Sequence, residues 1–131
     1  VPGTALRING ILTQGENIAD NGGVKQAFKA YKNYLKKHGE EKRIRGLEQF
    51  NNEQMFFLGY ASVRLSSDTK FVQICCGHMT KDAAIRRILT DPHSPMRYRV
   101  NQVLANQPEF ADVFQCKVGA AMNPAERCAV W

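Results

Sequence analysis

The sequence predicts a mainly α-helical chain with little or no sheet. Three observations carry that prediction. Apolar residues recur at three- and four-residue intervals in several windows, the spacing of one helical face. Residues that start or stop helices stand at the edges of those windows, among them Thr13, Gly39, Thr80 and Pro108. The chain has 131 residues, 44% hydrophobic and 23% charged, which is an ordinary composition with room for one domain and a modest core.

Taken in order, residues 1–14 read as a loop or short strand ending in Thr13, the expected N-cap of the first helix. Glu16 then falls in the first turn, where the helix dipole favours a negative charge. From Val24 the pattern is clear. Val24, Ala27, Phe28, Tyr31 and Leu35 make one apolar stripe, while Lys25, Lys29, Lys32 and Lys36 line another face. Lys36, Lys37 and His38 followed by Gly39 form a helix stop. A charged connection over 40–50 leads to Asn51 or Asn52, either of which can cap a second helix. Its apolar surface is expected at Met55, Phe56, Leu58, Tyr60 and Val63. "SSDTK" at 66–70 reads as a break or an exposed insertion. Thr80 is expected to cap "KDAAIRRIL", with Ala84, Ile85, Ile88 and Leu89 on the buried side. The two prolines of "TDPHSP" end that helix and stiffen the turn. "YRVNQVL" fits a short strand or a helical turn. Pro108 suits the first position of a last helix through Phe114.

The net charge is +6, and its excess is local. Residues 21–50 hold eight Lys or Arg against Glu40, Glu41 and Glu48. Such a stripe is either the solvated face of an amphipathic helix or a surface for an anionic partner. A basic face at helical spacing is poor evidence for a nucleic-acid partner, and none is expected. No apolar run approaches a membrane span, and no secretory leader is expected in these residues. An opening of Val-Pro-Gly-Thr suggests a processed chain or a fragment. Cys75, Cys76, Cys116 and Cys128 lack the spacing of a zinc framework. Adjacent Cys75 and Cys76 are poorly placed to pair with each other. An extracellular chain with disulfides fits, with partners that the chain does not reveal.

"GENIADNGG" at 15–23 places Glu16 and Asp20 four residues apart, on one face of a helix. By itself that spacing is a weak signal, equally suited to a solvated surface. The surrounding string "NGILTQGENIADNGG" resembles the segment that carries the third zinc ligand in neprilysin-type zinc metallopeptidases. "FKAYKNYLKKHGEE" and "FFLGYASV" are similar to that family's following helices. "TDPHSPMRYRV" resembles its D-x-HSP segment, and "EFADVFQC", "MNP" and "CAVW" resemble its C-terminal tail. The matches are collinear over nearly the whole chain. The resemblance implies a mainly α fold, the C-terminal helical portion of a gluzincin-like zinc metallopeptidase catalytic domain, with residues 1–131 as a partial domain. It implies Glu16 as the zinc-binding carboxylate and Asp20 as the acceptor of a hydrogen bond from a zinc-bound histidine. His93 would donate to the tetrahedral oxyanion, and Arg99 would grip substrate oxygens near the scissile bond. The implied substrates are small peptides, the implied cofactor is one zinc ion, and the implied setting is a secreted or type II membrane ectoenzyme.

The departures from the family pattern matter as much. Its H-E-x-x-H helix, which supplies two zinc histidines and the general base, is not in this sequence. The three histidines are His38, His78 and His93, and no two are four apart. Catalytic zinc needs three protein ligands, so this chain alone is expected to be inactive and to need the upstream part of the same domain as its partner. In the family the counterparts of Cys76, Cys116 and Cys128 pair with upstream cysteines, so thiols, mispairing or intermolecular bonds are expected here. About eleven residues are inserted within 59–75, close to three helical turns, either extending a helix or looping out. Phe56, Phe57, Phe110 and Phe114, which in the family pack on upstream helices, are expected to be exposed or repacked. The alternative function is a non-catalytic helical binding module that uses the basic helix at 25–37 (Lys25, Lys29, Lys32, Lys36, Lys37).

Overall fold

Asn9, rather than Thr13, starts the first helix, α1 (Gly10–His38), in the computed structural model, which describes residues 5–66 and 80–128. The Asn9 side-chain oxygen accepts the N–H groups of Ile11 at 3.0 Å and Leu12 at 3.3 Å. These are donors that a helix start leaves without an internal partner. Thr13 lies buried inside the helix, its hydroxyl donating to the Asn9 carbonyl at 3.2 Å. The loop or strand expected up to Thr13 is thus replaced by helix from Gly10. Glu16 falls beyond the first turn, which carries no acid. The helix runs unbroken through Asn21, Gly22 and Gly23 and stops at Gly39, whose φ of 82° suits a glycine.

Asn51 caps α2 (Asn52–Ser66) through a reciprocal pair. Its side-chain oxygen accepts from the Gln54 N–H at 2.7 Å, and Gln54 Oε1 accepts from the Asn51 N–H at 2.9 Å. Thr80 caps α3 (Lys81–Thr90), as expected, by accepting the Ala83 N–H at 3.3 Å. Past the Asp91–Pro92 turn, Pro95 opens α4 (Met96–Ala105). "YRVNQVL" is therefore helical: Val100, Val103 and Leu104 sit at three- and four-residue spacing and are buried together. Pro108 begins α5 (Pro108–Val113). The tail returns to α4, where Arg127 Nε donates to the Ala105 carbonyl at 3.1 Å. The described residues hold five helices and no strand, with one isolated bridge between Ala120 and Asn123.

Packing follows from where the apolar stripes face. α4 lies against both α1 and α2, and α5 closes on α2 and α4. Val24 and Phe28 of α1, Phe57 of α2, and Val100, Val103 and Leu104 of α4 form the buried cluster. Phe57 is its centre at 1% exposure, 4.6 Å from the Phe28 ring and edge-on to Phe110 at 5.4 Å. The expected face of α2 is corrected here. Phe57 points inward, and Val63, roughly two-thirds of a turn out of phase with it, is 65% exposed. Leu89 of α3 is also exposed rather than buried, and Ala27 of α1 faces solvent. Phe56, Phe57, Phe110 and Phe114 find partners in one another within the chain. The basic face of α1 is partly engaged by the chain itself, with Lys32 4.0 Å from Glu53 and over the Phe28 ring. α2 continues to Ser66. The remainder of the expected insertion, with Cys75, Cys76 and His78, lies outside the described residues. Among the described residues, no helix is long and apolar enough to cross a membrane.

Candidate functional site

α1 presents Glu16 and Asp20 one turn apart on the side that faces α4 and the turn before it. The two carboxylates have different surroundings. The Asp20 side chain is 3% exposed, whereas that of Glu16 is 41% exposed. Arg99, from α4, grips Asp20 bidentately: Nε donates to Oδ2 at 2.6 Å and a terminal nitrogen donates to Oδ1 at 2.8 Å. Arg64, near the end of α2, adds a third bond to Oδ1 at 2.5 Å. The hydrogen bond to Asp20 raises the Arg99 pKa further above its ordinary value, against burial, with the charges of Asp20 and Glu16 adding to the effect. Arg99 also lies 3.5 Å from Glu16 Oε2.

The turn between α3 and α4 supplies His93. Its Nε2 faces Glu16 Oε2 at 3.4 Å, and its Nδ1 faces Asp91 Oδ1 at 2.9 Å. Asp91 also accepts the His93 backbone N–H at 2.9 Å. Burial alone pushes the Asp91 carboxyl up. The two His93 bonds and the Arg87 and His93 charges outweigh it and hold Asp91 below the usual carboxylate range. An ionised Asp91 only accepts, so the Nδ1 facing it carries the hydrogen. The ring is thereby oriented with Nε2 toward Glu16.

Glu16, Asp20, His93 and Arg99, the four residues singled out in the sequence, therefore meet in space. Arg64 was missed: it approaches Asp20 from 44 residues away, and no local pattern signals that. The motif leaves the role of Asp91 unassigned, although Asp-x-His spacing lets a carboxylate reach both the ring and the backbone of the histidine. Whether these residues fit zinc is a matter of donors. Glu16 is a partly exposed carboxylate able to serve as one ligand, and a tetrahedral catalytic site requires three from the protein. Among the described residues, no group of three or more His, Cys, Asp or Glu could hold a metal ion. Among the described residues, Cys116 and Cys128 form no disulfide, the first half-buried and the second exposed.

A helical fold with an E-x-x-x-D helix set against a D-x-HSP turn is the arrangement that the resemblance to zinc metallopeptidases implies. The comparisons with known proteins agree. The family description "Peptidase family M13" matches residues 2–130. Neprilysin-1 of Caenorhabditis elegans is 58% identical over 130 residues, covering 98% of this chain and 16% of that protein. Neprilysin of Mus musculus is 47% identical over 124 residues, covering 95% of this chain and 15% of that protein. Among solved structures, the Haemonchus galactose containing glycoprotein complex superposes with a TM-score of 0.75 at 45% identity, covering 95% of this chain and 20% of that one. The chain belongs to peptidase family M13, whose metallopeptidases are zinc-dependent. It spans about one sixth of the length of the curated relatives it matches.

Proposed function

We propose that these residues form the C-terminal part of the catalytic domain of a neprilysin-like zinc endopeptidase that hydrolyses small peptides. The observation that carries this reading is the convergence of Glu16, Asp20, His93 and Arg99, drawn from two helices and a turn, within contacts of 2.6 to 3.5 Å. In this reading Glu16 is one ligand of a zinc ion whose two histidine ligands come from an upstream segment of the same domain. Zinc so bound supplies a water of lowered pKa for attack on a peptide carbonyl. The groups of this chain do the rest by position. Asp20 is held by two arginines and has lone-pair capacity left to accept from a zinc-bound histidine. His93, its ring oriented by Asp91, presents Nε2 on the face where charge develops on the substrate oxygen. Arg99 supplies a fixed positive charge and planar donors for substrate oxygens. A secreted or cell-surface ectodomain is the compartment that fits the reading.

The purified 131-residue chain is expected to show no zinc-dependent cleavage of a short peptide. A polypeptide extended upstream through an H-E-x-x-H helix is expected to cleave it and to lose activity with a chelator or with Glu16→Gln. Cleavage by the isolated chain, or full activity of the Glu16→Gln extended protein, would refute the assignment.

A further inference from the structure

Beside the row that holds Glu16 and Asp20, α1 carries a second polar row. Thr13, Asn17 and Asn21 follow at four-residue spacing, so each side chain reaches the preceding turn. Asn17 Nδ2 donates to Thr13 Oγ at 3.1 Å, and Asn21 Nδ2 donates to the Asn17 carbonyl at 2.7 Å. The free ends of this row bind the neighbouring helix. Ser94 Oγ donates to Asn17 Oδ1 at 2.8 Å, Asn106 Nδ2 to Asn21 Oδ1 at 3.0 Å, and Gln107 Nε2 to the Asn21 carbonyl at 3.2 Å. Ser94 lies just before α4, and Asn106 and Gln107 lie just after it. α4 is tied to α1 at both ends, and Ser94, Asn21 and Gln107 are buried.

We propose that the Asn17–Ser94 hydrogen bond positions the catalytic turn for the peptidase reaction, by setting the turn that carries His93 against the helix that carries Glu16. The proposal rests on the reading of the site given above. Asn17 is the chain neighbour of Glu16, and Ser94 is the chain neighbour of His93. Asp91 fixes the His93 ring only within its own turn. The direct His93–Glu16 contact joins two side chains each about two-fifths exposed, a weak tether in water. The Asn17–Ser94 bond is a part-buried link between turn and helix, its Ser94 end 4% exposed, and breaking it leaves a sheltered polar atom unpaired. Neither Asn17 nor Ser94 bonds a side chain of Glu16, Asp20, His93 or Arg99, so both are positioning residues.

The test uses the complete peptidase that includes this chain. Asn17→Ala and Ser94→Ala are each expected to lower kcat about tenfold with KM within about twofold, as displaced catalytic groups do. The double variant is expected to be no slower than Asn17→Ala alone, because that change already removes the bond to Ser94. Ser94→Thr, which keeps the hydroxyl, should stay within about threefold of the wild type. Hydrogen exchange provides a readout that needs no turnover. Amides of residues 93–99 should exchange about tenfold faster in Ser94→Ala, while those around Phe57 are unchanged. Exchange at 93–99 equal to wild type, losses that multiply in the double variant, or kcat within twofold of wild type overturns the positioning role. An inactive wild-type protein sinks the peptidase reading instead, and the exchange arm still decides whether the bond holds the turn.

Discussion

Asp20 concentrates the energetics of the site in one residue. A carboxylate at 3% exposure is tolerable only because Arg99 and Arg64 satisfy its oxygens, and Arg99 is itself nearly enclosed. Such a pair contributes little net stability over an apolar equivalent, but removing one member strands the other. Asp20→Asn should therefore cost about 3–5 kcal/mol, read by chemical denaturation of the chain. Combining it with Arg99→Met should recover part of that loss, because no buried charge is then left unpaired. Equal stabilities for the single and double variants would contradict this account. The residue types at 16, 20, 93 and 99 were legible in the sequence because their motifs are local strings. That Asp20 is shared by two guanidinium groups was not legible, since Arg64 and Arg99 arrive from different helices.

At the scale of the element, α1 divides its work along its length. Its first turns hold the two polar rows, its middle supplies Val24 and Phe28 to the core, and its last turns carry the basic face. Asn9 and Thr13 are both good caps one turn apart. The helix begins at the earlier one, which puts Thr13 in line to accept from Asn17. Gly39, Thr80 and Pro108 behaved as the sequence predicted, because their effects need only a few neighbouring atoms. The far end of α1 is latched by Tyr31, whose hydroxyl donates to Glu41 at 2.7 Å. Burial first, and then the bond to Glu41 and its charge, push the Tyr31 pKa from 10.0 up to about 12. A raised folded pKa contributes stability that is full below the unfolded value of about 10 and is lost as pH rises through the folded value. The stability advantage of wild type over Tyr31→Phe should accordingly fade between pH 10 and about 12. An ultraviolet titration should show one late-titrating phenol missing from the variant. A difference between the two proteins that stays constant across that window would count against the latch.

For the whole molecule, the aromatic centre decides how α1, α2, α4 and α5 sit together. Phe57 meets Phe28, Phe110 and Phe114, so its ring joins three helices and the residue that ends α5. Phe57→Ala should destabilise the chain by about 3–5 kcal/mol, measured as a lowered denaturation midpoint at unchanged m-value. A loss under about 1 kcal/mol would show that the ring is not the packing centre. The sequence pointed to the neighbours of Phe57 instead, because "MFFLGYASV" is apolar on nearly every side. Periodicity cannot choose a face when four adjacent positions, 55–58, are all large and apolar. For the same reason "YRVNQVL" stayed open between strand and helix until Val100, Val103 and Leu104 were seen to be buried on one side.

By itself, the sequence determined that the chain is mainly helical and where most helices start and stop, and it singled out four residues that meet in space. Those properties depend on backbone bonds and motifs spanning a few residues, which local order already contains. Only the tertiary structure decided which face of α2 is buried, that Arg64 joins Arg99 on Asp20, and that Asn17 binds Ser94. Those depend on how far α4 slides along α1 and α2, a distance set by close packing of the aromatic centre and by polar groups that must find partners once water is excluded.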